Sequence, residues 1–166
     1  MTAMPIGAIA KFPNQCRSSI ICIDQYENKA FVGALHNLCF AEPLVFHNLM
    51  QLIDHIDMLL NYMAFPQAST ERRSFSSIRP MELTEQQLKK AIYEASSAPD
   101  GKLGTFSIRI LFRQNASWQG SVRWLEENKE KQFRSALELI FLLDSAILAK
   151  QDNTDSLFDE KTTATG

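Results

Sequence analysis

The chain has 166 residues, with 17 Lys and Arg against 19 Asp and Glu, 45% hydrophobic and 22% charged. This is the make-up of an ordinary soluble protein with material for one sizeable core. No run approaches the roughly eighteen consecutive apolar residues of a membrane helix.

Residues 1–17 hold Pro5, Gly7 and Pro13 without a sustained period and read as an irregular lead-in. No basic residue precedes the short apolar run of MTAMPIGAIAKF, so a signal peptide is not expected. Residues 18–26 predict a first strand and 30–38 a second, with a short third strand at 44–47 after Pro43. Leu49, Met50, Leu52, Ile53, Ile56, Leu59 and Leu60 then recur at the three-and-four spacing of a buried helical stripe.

Residues 64–80, rich in Ser, Pro and Arg, read as a linker that Phe65 and Phe75 could order against the sheet. Thr84 with Gln87 has the spacing of a helix start, and Leu88, Ile92 and Ala95 share one side of a connecting helix over 84–95. SSAPDGKLG at 96–104 is turn material.

From 105 the chain alternates again. Phe106, Ile108, Ile110 and Phe112 should face a core, and Ser107, Arg109, Leu111 and Arg113 should face away. Asn115 to Ser117 turns into a second strand at 118–124, and a third is expected at 131–134. Ser135 with Glu138 has capping-box spacing, and Asn48 with Gln51 offers the same arrangement upstream. Residues 151–166 hold four acidic side chains and few apolar ones, and read as a disordered acidic tail. Without that tail, 16 Lys and Arg face 15 Asp and Glu, which neither demands nor excludes a polyanionic partner.

Residues 18–60 lie over 105–147 without a gap. Ile21 falls on Ile108, Ile23 on Ile110, Asn28 on Asn115, Phe31 on Trp118, Gly33 on Gly120, Phe46 on Phe133, Leu52 on Leu139 and Asp57 on Asp144. Such self-similarity in one register indicates a tandem duplication. The expected fold is α+β: two β-β-β-α units, antiparallel meanders with both helices on one face, and a connecting helix closing an edge. Repeat 1 covers about 18–62, linker and connecting helix 63–104, and repeat 2 about 105–149, all within one domain over 1–150.

Asp57 and Asp144 point into the apolar side of their helices, where a carboxylate needs a hydrogen-bonding or charged partner. Structural anchoring at a helix–sheet or repeat–repeat junction is the first expectation; a paired-carboxylate catalytic site is the sharper alternative. Arg109, Arg113 and Arg123, with Gln119 and Ser121, are expected on the outward sheet face, joined by Cys22, Tyr26 and His36 from the first copy. That face could bind phosphate or carboxylate groups. No metal or cofactor is expected: His47 and His55 stand eight apart without a third ligand, and no Gly-rich phosphate loop or nucleophile motif is present. Cys16, Cys22 and Cys39, odd in number and lacking CxxC spacing, fit reduced thiols in a cytoplasm. Ile140, Phe141, Leu142, Leu143, Ile147 and Leu148 wrap nearly around the second helix, so its outer side should be covered by the connecting helix or by another molecule, a second copy included.

LFRQNASWQGSVRWLE followed by FRSALELIFLLDSAIL resembles a recurring signature of short bacterial proteins, and FPQASTERRSF at 65–75 resembles another segment of that group. The resemblance covers about two-thirds of the chain and implies a bacterial cytosolic protein; it transfers no activity and no catalytic residue. In topology alone, tandem meander–helix units resemble single-stranded nucleic-acid-binding proteins of the whirly and transcriptional-coactivator type. The functional expectation is a small non-catalytic cytoplasmic adaptor or regulator that binds another protein, followed by a nucleic-acid-binding regulator, then an enzyme using Asp57 and Asp144.

Overall fold

A computed structural model describes residues 14–77, 81–88 and 100–162, the side chains of 156–162 excepted. A single 3-10 turn at Asn14–Arg17 leads into one antiparallel sheet of six strands and two helices, an α+β fold. In chain order these are β1 (Ser18–Glu27), β2 (Ala30–His36), β3 (Leu44–Phe46), α1 (Leu49–Met63), β4 (Gly104–Phe112), β5 (Gln119–Trp124), β6 (Lys129–Phe133) and α2 (Ala136–Thr162). The strands lie in the order β3-β2-β1-β4-β5-β6, so the two meanders join edge to edge through β1 and β4.

Pairing register repeats at a constant offset of 87 residues. Ile21 pairs with Leu35 as Ile108 pairs with Val122, and Gly33 pairs with Phe46 as Gly120 pairs with Phe133. Where β1 meets β4, Ile20 pairs with Ser107, residues equivalent to each other at that offset, so a pseudo-twofold axis passes through that pair. Both hairpin turns place two successive residues at positive φ, Asn28 and Lys29 in one and Asn115 and Ala116 in the other, as a two-residue turn matched to strand twist requires. Both first strands carry a register break, at Ile23/Gln25 and at Ile110/Phe112.

Two glycines show how closely the strands approach. A Cβ at Gly33 would stand 1.9 Å from the Cys22 carbonyl oxygen, and one at Gly120 would stand 2.0 Å from that of Arg109. Backbone cannot yield as a flexible side chain can, so each position requires glycine.

Both helices open at the caps read from the sequence, with the Gln or Glu reaching back to the backbone N–H one residue before the cap. Asn48 Oδ1 accepts from Gln51 N at 2.9 Å while Gln51 Oε1 accepts from His47 N at 2.7 Å. Ser135 Oγ accepts from Glu138 N at 3.1 Å while Glu138 Oε2 accepts from Arg134 N at 2.6 Å. Phe31, Phe46, Phe106 and Phe133, with Ile21, Ile23, Leu35, Leu59, Leu143 and Ile147, are fully buried in a core cluster drawn from both halves.

The helices end differently. Ala64 caps α1 in the left-handed conformation, and Pro66 follows, which cannot continue a helix. Past Lys150, the counterpart of Met63, the chain holds Gln151, Asp152 and Asn153 and no proline, so α2 runs twelve residues further, to Thr162. Residues 151–162 are therefore helix rather than the expected disordered tail: extending a helix already nucleated by a buried segment costs far less than starting one.

The linker also departs from expectation. Phe65 lies beneath the Arg17 guanidinium, 4.2 Å from its ring centre, but Phe75 is fully exposed. Arg72 pairs with Asp54 on α1 at 3.1 Å, and Ala68 bridges to Arg113. Of the expected connecting helix, residues 85–87 form a turn and Leu88 bridges to Phe40, while residues 89–95 lie outside the described residues.

Candidate functional site

The two aspartates that correspond at the 87-residue offset anchor opposite junctions between the two meander–helix halves. Asp57, on α1, receives Arg113 Nη2 at 2.7 Å, from the residue following β4. Arg113 Nη1 also donates to Asn61 Oδ1 at 2.9 Å. Asp144, on α2, accepts from the Tyr26 hydroxyl near the end of β1 and from Lys29 Nζ at 2.9 Å. Tyr26 and Arg113 are equivalent at the 87-residue offset, as are Asp57 and Asp144. Each helix carboxylate thus reaches the first strand of the opposite half.

These contacts correct two placements. Tyr26 and Arg113 were expected on the outward face, but both lie on the helix side. A register break adds one residue to the bulged strand and flips the facing of everything beyond it. Simple alternation therefore holds to Ile23 and Ile110 and fails afterwards. Phe112, expected in the core, is exposed for the same reason, while Phe31, opposite Tyr26, and Trp118, its counterpart at the 87-residue offset, are buried. Tyr26 stacks on Phe31 at 5.2 Å between ring centres.

Electrostatics follow this geometry. The Tyr26 hydroxyl bond, and then Lys29, hold the Asp144 carboxyl below its ordinary range against the opposing effect of burial. Burial and the neighbouring carboxylate push the Tyr26 phenol up. Only 9% of the Arg113 side chain is exposed, so its guanidinium relies on Asp57 and Asn61.

The carboxylates do not converge on one site. Tyr26 and Arg113 lie six residues from the Ile20–Ser107 pair in opposite directions, and with one bulge residue on each side adding no length, about 3.3 Å per residue separates them by on the order of 30 Å. Among the described residues, no partner is common to both carboxylates.

The outward face retains Arg109, Arg123, His36 and Gln119. Gln119 is committed to its own turn: its amide accepts from Gln114 N and donates to the carbonyls of Gln114 and Arg134. Arg123 Nε donates to Asn128 Oδ1 at 3.1 Å rather than pairing with a glutamate. His36 is half-buried, and burial pushes its pKa down. Exposed Arg109 makes no ion pair among the described residues. At one end of the sheet, Gly101 donates to the buried Thr105 hydroxyl and Leu103 to the Ile23 carbonyl.

Cys16, Cys22 and Cys39 are buried and none is in a disulfide. Burial pushes Cys22 up to about 11 and Cys39 up to about 12, which keeps both protonated and weakly nucleophilic at neutral pH. The described residues contain no group of three or more His, Cys, Asp or Glu placed to hold a metal ion. No described helix is long and apolar enough to cross a membrane.

The outer side of α2, expected to be covered by the connecting helix or by another molecule, carries exposed apolar residues. Leu139, Leu143, Ala146 and Ile147 face the core, while Leu137, Phe141 and Leu148 on the opposite side are 59%, 62% and 36% exposed. Position 54 of α1, the counterpart of Phe141, is Asp54, held by Arg72 of the linker. The sequence signal was present in the apolar circumference of α2; what it could not show was which side stayed open.

No protein-family model matches the chain, and neither a curated protein nor a solved structure matches it. The resemblance to short bacterial proteins therefore remains a reading of its strings.

Proposed function

We propose that this is a small non-catalytic, cytoplasmic adaptor or regulatory protein that works by binding another protein through the outer side of α2. One observation carries the reading: Leu137, Phe141 and Leu148 form an exposed apolar line on the side of α2 opposite its core contacts. Isolated exposed apolar residues are commonplace, whereas a line of large ones marks an interaction surface. Aromatic anchors contribute disproportionately to such surfaces, which singles out Phe141. The test is retention of a native-cell partner by the wild type and by Phe141→Glu, with and without nuclease. Retention should survive nuclease and fall at least tenfold in the variant; equal retention by both proteins would reject this surface.

A nucleic-acid-binding role is the second reading, supported by exposed Arg109, which has no ion-pair partner among the described residues, on the same strand as exposed Phe112. It is the weaker of the two, because Arg113 and Tyr26 face the helices and Gln119 is internally bonded. Retention lost on nuclease treatment and weakened steeply by salt would favour it.

We also infer that the halves arose by tandem duplication. Support comes from the shared offset of strand register, bulges, turns and caps, which is difficult to account for by common fold constraints alone. Matched substitutions at Gly33 and Gly120 should then have matched costs, and a large cost at only one would count against equivalence.

A further inference from the structure

Taken from its N-terminal end, the outer side of α2 begins with a cation, continues with apolar groups and ends with anions. Arg134, just ahead of the helix, is exposed, although its guanidinium also contacts Glu138. Leu137, Phe141 and Leu148 follow, with exposed Ser145 between the last two and Asp144, neutralised by Lys29 and bonded to Tyr26, bordering them. Asp152 and Asp155 come next; both are exposed and neither has an ion-pair partner among the described residues. At 100° per residue, Leu137, Phe141, Ser145, Leu148, Asp152 and Asp155 all fall within one side of the helix.

Such a surface complements itself when two copies lie antiparallel. We propose that the partner of this surface is a second copy of the chain, its α2 crossing in the opposite direction near Ser145. This inference rests on the protein-binding reading above and names the partner. In that register Phe141 of each copy meets Leu148 of the other, and the Arg134 end lies beside the other copy's Asp152 and Asp155. Small Ser145 at the crossing permits close approach of the helices. A parallel arrangement would instead place Asp152 and Asp155 against their own copies, so like charges select the antiparallel one.

The twelve-residue extension of α2 beyond the counterpart of the α1 end supplies the acidic half of this surface. Without it, the stripe would end close to Leu148 and lose its charge complement. A twofold axis also makes each contact occur twice, so a modest surface gains from every favourable pair.

The test is sedimentation of the full chain between about 1 and 100 µM, the range in which small interfaces associate. The wild type should show a concentration-dependent dimer. Phe141→Glu should weaken dimerisation at least tenfold while keeping the wild-type circular dichroism spectrum and melting temperature. Asp152→Lys with Asp155→Lys, or Arg134→Glu alone, should each weaken it, and the three changes together should restore it, because reversing both ends re-creates attraction. A chain that remains monomeric throughout the range overturns the second copy as partner; Phe141-dependent retention of a different protein would still uphold the protein-binding reading. A dimer insensitive to Phe141→Glu, or one that the combined charge reversal fails to restore, overturns the antiparallel α2 interface.

Discussion

At the residue scale, Asp144 connects sequence pattern, packing and pH. Its carboxylate is stabilised by the Tyr26 hydroxyl and Lys29, so its folded pKa lies below the unfolded value. The stability it contributes is therefore fully present above the ordinary carboxylate range and is lost as pH falls through the folded value. Asp144→Asn should cost about 1 kcal/mol at neutral pH, a figure reduced for partial exposure. The gap from wild type should narrow once pH drops below about 4, where the native carboxyl takes up its proton. Urea titrations at pH 7, 5 and 3 read this directly. A gap of constant size would show that the carboxylate's charge contributes nothing. Sequence reasoning identified both aspartates as polar groups on apolar helix sides but not their partners. Tyr26 and Arg113 stand beyond the bulges, where alternation points to the wrong face, and nothing in β1 or β4 composition marks where an extra residue enters.

At the element scale, legibility followed local chemistry. The strands, both caps and the turn asparagines were readable because each depends on a few adjacent residues: a Ser or Asn with Glu or Gln three places on, or two residues in the left-handed region. The length of α2 was not readable from composition alone. Its acidic end lacks apolar groups, but the residues before it are fixed in the core and no proline interrupts the backbone. Gly33 and Gly120 offer a matched test of strand approach. A methyl group at either would have to displace the facing backbone carbonyl, 1.9 Å or 2.0 Å away. Gly33→Ala and Gly120→Ala should each lose about 2–3 kcal/mol by forced strand separation. Denaturant unfolding of the two variants measures both costs. A loss below about 0.5 kcal/mol at either site would show that the strands there can separate without penalty.

At the scale of the whole molecule, the halves are joined by β1–β4 pairing at the centre and by one carboxylate contact toward each end. This geometry decides how the ends communicate. Asp57→Ala leaves the largely buried Arg113 guanidinium with Asn61 alone and should cost about 2–3 kcal/mol. Asp144→Ala removes the acceptor of Tyr26 and Lys29 at the other end, with a smaller loss because Lys29 stays solvated. With on the order of 30 Å between the two contacts and no shared partner among the described residues, their energies should add to within about 0.5 kcal/mol in the double variant. A site in which both carboxylates held one proton or one ligand would behave otherwise, because removing the first would already relieve the repulsion felt by the second. Chemical denaturation of wild type, both single variants and the double variant measures the coupling. A coupling above about 1 kcal/mol would mean that the sheet transmits strain between its ends. Near-zero coupling, with a single unfolding transition in all four proteins, is what two separate clasps across one continuous sheet should give.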